Sequence, residues 1–117
     1  MRLQSQIKQL LDPYDYSQTE CDGMTRICHT VLTENRIEHQ PMAGSLIRVD
    51  QEIDAHFWID LPDGSRIDYR ARMWLGNKGV PHGVFNPEAF PGIVYIGEPI
   101  QLEPLFSVVF QVLAYCF

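Results

Sequence analysis

The chain has 117 residues, a length that fits one domain, and 45% of them are hydrophobic, enough for one packed core. Its formal net charge is −6 and no block of like charge stands out. That balance argues against nucleic acid or an anionic membrane as a partner, because phosphate binding needs a positive surface.

The opening MRLQSQIKQL has no basic region followed by a long apolar one, so no secretory signal is visible. No stretch reaches the roughly 18 apolar residues that span a bilayer. Three cysteines are an odd count, and they include no Cys-x-x-Cys pair. A disulfide framework is therefore not expected, and the expected compartment is the cytoplasm or a cytosol reached by delivery.

Leu3, Ile7, Leu10 and Leu11 fall at helical spacing and predict a first helix over residues 2–11, stopped by Asp12-Pro13. After a loop, Ser17 or Thr19 is placed to cap a second helix, and Ser17-x-x-Glu20 has capping-box spacing. The apolar face of that helix runs Met24, Ile27, Cys28, Val31, Leu32. Cys21 shares this face and sits in the first turn. The helix is expected to end near Glu34–Arg36, with Ile37-Glu38-His39 leading towards a strand at Ser45–Val49.

Residues Ala55–Leu61 alternate Ala55, Phe57, Ile59 and Leu61 against His56, Trp58 and Asp60, a half-buried strand with polar groups on one face. Arg66–Met73 is its expected hairpin partner. Residues 75–91 are rich in Gly and Pro and read as a long loop. Ile93–Ile96 is a short strand. Pro104 suits the first turn of a last helix, though Val108, Val109 and Phe110 also suit a strand. The whole run Leu105–Phe117 reads as a buried terminal element. Together these elements predict a single α+β domain over residues 1–117, with N-terminal helices packed on a small antiparallel sheet.

Three residues carry the candidate chemistry. Cys21, His56 and Asp68 offer a thiol nucleophile, an imidazole base and an orienting carboxylate. Their meeting depends on one turn. A two-residue loop at Asp63-Gly64 pairs Ile59 with Asp68 and turns Asp68 away from His56. A three-residue loop Pro62-Asp63-Gly64, with Gly in the left-handed region, pairs Leu61 with Ser65 and Trp58 with Asp68. His56 and Asp68 are then diagonal neighbours about 7–8 Å apart at Cα. Asp60, on the same strand face, is the fallback carboxylate. The backbone N–H of Cys21 and the side chain of Gln18 or Tyr16 are candidate oxyanion donors.

Cys21, Arg36-Ile37-Glu38-His39, His56-Phe57-Trp58 and Ile67-Asp68-Tyr69 together resemble the transglutaminase-like core of the papain-like superfamily, over about Thr19 to Tyr69. The resemblance implies that core fold and acyl transfer through a thioester, as in proteases, deamidases, amidases, transglutaminases or arylamine acetyltransferases. It implies a peptide, protein or small amide substrate, no cofactor, and Trp58 lining the site beside His56. The chain departs from the pattern in two places. Asp-Gly follows the cysteine, and no Trp precedes it.

Other readings stand beside this one. Cys28 and Cys116 read as small core residues. Cys21, Cys28, His29, His39, His56 and His82 are possible soft ligands, but they show no standard zinc spacing, so no metal is expected. Arg66, Arg70 and Arg72 alternate along the predicted strand, and Arg70 is a candidate for binding an anionic substrate group. A non-catalytic binding module is the alternative function. The oligomeric state is not readable.

Overall fold

The computed structural model describes residues 2–115. Helix α1 (Arg2–Leu11) runs as its apolar spacing predicts and ends in a 3-10 turn at Asp12–Tyr14, where Pro13 breaks the helical hydrogen bonding. Helix α2 (Cys21–Glu34) begins later than the capping pattern suggested. Ser17 and Thr19 are buried and bond to each other, and Glu20 takes the N-cap position without a side-chain cap.

The sheet has five strands: β1 (Gln40–Arg48), β2 (Gln51–Asp60), β3 (Arg66–Asp68), β4 (Gly83–Phe85) and β5 (Ile93–Pro99). Their order is β4-β3-β2-β1-β5 and every neighbouring pair is antiparallel. With four α-helices among the described residues, the architecture is α+β.

The β2–β3 hairpin has the three-residue turn. Leu61 N–H donates to Ser65 O, Ile59 pairs with Ile67, and Gly64 sits at φ 91°. Only glycine takes that backbone conformation without strain. Asp63 braces the turn from inside by accepting from the Ser65 N–H at 2.9 Å.

Strand β3 is shorter than the predicted Arg66–Met73. Asp68 Oδ1 accepts the backbone N–H of Arg70 at 2.9 Å, a local bond that competes with strand pairing. The chain turns there into a short helix, α3 (Ala71–Leu75), so Arg72 lies on a helix and not on a strand. The 75–91 segment holds strand β4, paired as Ile67 with Val84. Three residues between Gly and Pro carry too little pattern to be read locally.

Ile7, Leu11, Met24, Cys28, Val31 and Leu32 pack α1 and α2 onto Ile59, Ile67 and Val84 of the sheet and onto Leu61 beside the hairpin turn. Each fully buried aliphatic side chain contributes about 1.5–3 kcal/mol. The second cluster, Leu46, Ala71, Leu75 and Val80, closes the other face under α3.

The last element is a helix, α4 (Ser107–Tyr115), and it is not a buried one. Phe106 is 82% exposed and Val108 70% exposed, because α1 and α2 already cover the apolar sheet face. Helix α4 rests on α2 and on Tyr14, which meets the rings of Phe110 and Tyr115. Cys116, read as a core residue, lies outside the described residues. No helix among them is long and apolar enough to cross a membrane.

Candidate active site

Strand β2 carries a bulge. Gly44 pairs with His56 and Leu46 with Ile53, so Asp54 and Ala55 together oppose Ser45. Ala55 takes φ 58°, a left-handed conformation uncommon for alanine. The bulge therefore sits immediately before His56 and sets the direction of its side chain. Beyond Asp68 the chain leaves the sheet, so the N-terminal half of β2 has only β1 as a strand neighbour.

His56 Nε2–H donates to Asp68 Oδ2 at 2.6 Å. Both side chains are buried, at 0% and 1% exposure. Asp68 accepts two further bonds, from Tyr95 O–H at 2.8 Å and from Arg70 N–H. The other ring nitrogen, Nδ1, is buried without a hydrogen-bond partner, and Cys21 is the second neighbour that raises the ring's proton affinity. Cys21 and Asp68 line one small cavity, so the thiol stands near the carboxylate–imidazole pair without a hydrogen bond to the ring. Asp60, the fallback carboxylate, is held by Arg66 at 2.6 Å and does not reach His56.

Burial on its own would lower the His56 pKa. The hydrogen bond that His56 donates to Asp68, then the neighbouring Cys21, and the Asp68 charge outweigh it and raise the pKa to about 9. A histidine that holds its proton more tightly when folded stabilises the fold fully below its ordinary pKa of 6.5. That contribution is lost as pH rises through about 9, and it is worth about 3 kcal/mol. Urea unfolding at pH 6 and pH 9.5 is expected to show the loss in the wild type and not in His56→Gln. Equal losses in the two proteins would rule out His56 as its source.

Cys21 opens α2, where no side chain caps the free backbone donors; the N–H of Met24 is the first to bond back, to Glu20 O. The positive end of the helix therefore lies at the thiol. The sulfur residue is 7% exposed. A cavity of about 10 Å³ beside it, bounded by Thr25, Ile59 and Asp68, has room for one water molecule. Gln18 and Tyr16 are exposed in the loop just upstream.

Trp58 stacks on His56 with ring centroids 6.1 Å apart, but it is 1% exposed and serves as packing rather than as an open wall. Its ring lies against Gly97, where a Cβ would stand 2.7 Å from it, so only glycine fits there. Arg70 was expected to meet substrate. It is buried, and its guanidinium is spent on Thr19 O (2.6 Å), Asp15 Oδ1 (2.8 Å), Tyr69 O (2.8 Å), Asp15 O (3.0 Å) and Ser17 O (2.9 Å). It ties the loop before Cys21 to the end of β3, which makes it a positioning residue. His82 joins the same knot through Asp15 Oδ2 at 2.6 Å.

Tyr95 is the site residue that the sequence reading missed. It reaches Asp68 from β5, packs its ring against Trp58 at 5.0 Å and lies under the Arg66 guanidinium at 4.7 Å. Burial, and then the Asp68 charge, push its pKa far above the ordinary value, so it stays a donor. Tyr95→Phe keeps the ring and removes one bond to a buried carboxylate. It is expected to cost about 1.5–3 kcal/mol in urea unfolding.

Among the described residues no three His, Cys, Asp or Glu converge as metal ligands. No protein family, curated protein or solved structure matches the chain.

Proposed function

We propose that the protein is a cysteine-dependent hydrolase or acyltransferase with a papain-like, transglutaminase-like core, acting on an amide through a thioester. The observation that carries this reading is the buried Asp68–His56 bond at 2.6 Å, with the Cys21 thiol lining the same small cavity as Asp68. His56 takes the thiol proton and Cys21 Sγ adds to the amide carbonyl carbon. The oxyanion meets the Cys21 N–H at the start of α2, with the Gln18 amide or the Tyr16 hydroxyl as second donor. His56 then gives its proton to the leaving nitrogen, the C–N bond breaks, and the thioester remains. Water or an amine attacks it, His56 takes the new proton, and the thiol is restored. Asp68 holds the imidazole orientation throughout. A glutamine side chain, a peptide bond or a small amide are the substrate classes.

The test is covalent. Activated acyl probes and glutamine-containing peptides are expected to leave an acyl adduct on Cys21, visible by mass spectrometry and absent in Cys21→Ser. Ammonia release or amine incorporation then separates hydrolysis from transfer.

The low exposure of the thiol favours a second reading, a non-catalytic binding module built on the same core. No adduct from any probe, together with alkylation of Cys21 at an ordinary thiol rate, decides for it.

A further inference from the structure

His29 on α2 and His39, just before β1, lie outside the triad and face each other. His29 Nδ1 is 2.8 Å from His39 Nε2. The outer nitrogens are both spoken for. His29 Nε2 contacts Leu102 O at 2.7 Å, and His39 Nδ1 contacts Ile37 O at 2.7 Å. A carbonyl can only accept, so both outer nitrogens carry a hydrogen. If both rings were neutral, the two inner nitrogens would then be bare lone pairs at hydrogen-bond distance. One additional proton between them removes that conflict, while a second would leave two cations in contact. The spacing also suits a proton rather than a metal, since two nitrogens each about 2.0–2.1 Å from one zinc ion stand farther apart.

The geometry points to a proton-bound imidazole pair of single positive charge, which clips the segment ahead of α4 to helix α2 when protonated and loosens it when the proton leaves. Of the two carbonyl bonds, the one to Leu102 yields. The bond to Ile37 closes within two residues, whereas the bond to Leu102 joins residues far apart in the chain. The segment keeps only a few other ties, among them Leu105 N–H to Thr30 Oγ1 and Ile100 N–H to Pro41 O.

The charged neighbours leave the pair to itself. On α2, Arg26 is committed to Asp22. Glu38 precedes His39 and shares a cavity wall with it and with Asp60 of β2, which Arg66 holds. Glu103 follows Leu102 and is exposed. Among the described residues none of these bonds to either ring. Burial, opposed by the Ile37 bond, and then the His29 charge hold the His39 pKa below the ordinary imidazole value. That is the direction expected of a pair that resists a second proton.

Hydrogen exchange of the amides of Gln101, Leu102, Glu103 and Leu105, set against β1–β2 core amides, tests the clip. Protection is expected to fall about tenfold between pH 6 and pH 9, the size of one charge-assisted hydrogen bond. His39→Leu removes the bridge and is expected to abolish that pH dependence. The variant keeps His56, so any global loss at high pH appears in both proteins and cancels. In ¹⁵N spectra of the wild type at pH 6, the inner nitrogens are expected to share one proton. Protection equal at both pH values, two rings titrating independently, or zinc found bound to the purified protein would each overturn the proposal.

Discussion

His56→Gln is expected to slow alkylation of Cys21 by iodoacetamide about thirtyfold at pH 7, because a cysteine without a basic neighbour is only a few per cent thiolate there. Under the proposed mechanism the imidazole takes the thiol proton, and Asp68 at 2.6 Å stabilises the imidazolium that forms. The pH profile separates this from a change in access. Between pH 6 and pH 8 the wild-type rate is expected to vary little, while the rate of His56→Gln rises about tenfold per pH unit. Turnover of an amide substrate is expected to fall about 10²–10⁴-fold in the variant, the usual contribution of a positioned acid–base group. A wild-type rate that climbs as steeply as the variant's would end the enzyme reading, whatever the distances.

Parts of this arrangement are legible in the sequence because their causes are local. Pro62-Asp63-Gly64 specifies a three-residue turn, and that turn sets the register that puts His56 and Asp68 on one side of a hairpin. Helical spacing puts Cys21 on the inward face of α2 in the same way. What stays hidden depends on contacts between distant parts of the chain. Tyr95 reaches Asp68 only because β5 pairs with β1, on the far side of the sheet from β3 and β4. Arg70 reads as one of three alternating strand cations until Asp68 captures its N–H and ends the strand. The apolar run at 105–115 looks like core, and its exposure follows from which helices reach the sheet first, a matter of the whole packing.

Arg70→Met is expected to lower stability by about 3–5 kcal/mol, the largest loss predicted for a single substitution here. The methionine fills much of the same volume, so the loss comes from unpaired groups rather than from a cavity. Four carbonyls, those of Asp15, Ser17, Thr19 and Tyr69, lose their donor, and the Asp15 carboxylate keeps only His82. Arg70→Lys retains the charge but not the planar fork, and one ammonium cannot serve acceptors spread over a loop. It is expected to recover less than about half of the loss. The same loop delivers Cys21 to His56, so both variants are also expected to raise the exchange of amides 16–20 ahead of any global change. Urea unfolding and residue-resolved exchange read the two effects separately. If Arg70→Met costs under about 1 kcal/mol, the guanidinium is not what holds the thiol in register with the Asp68–His56 pair.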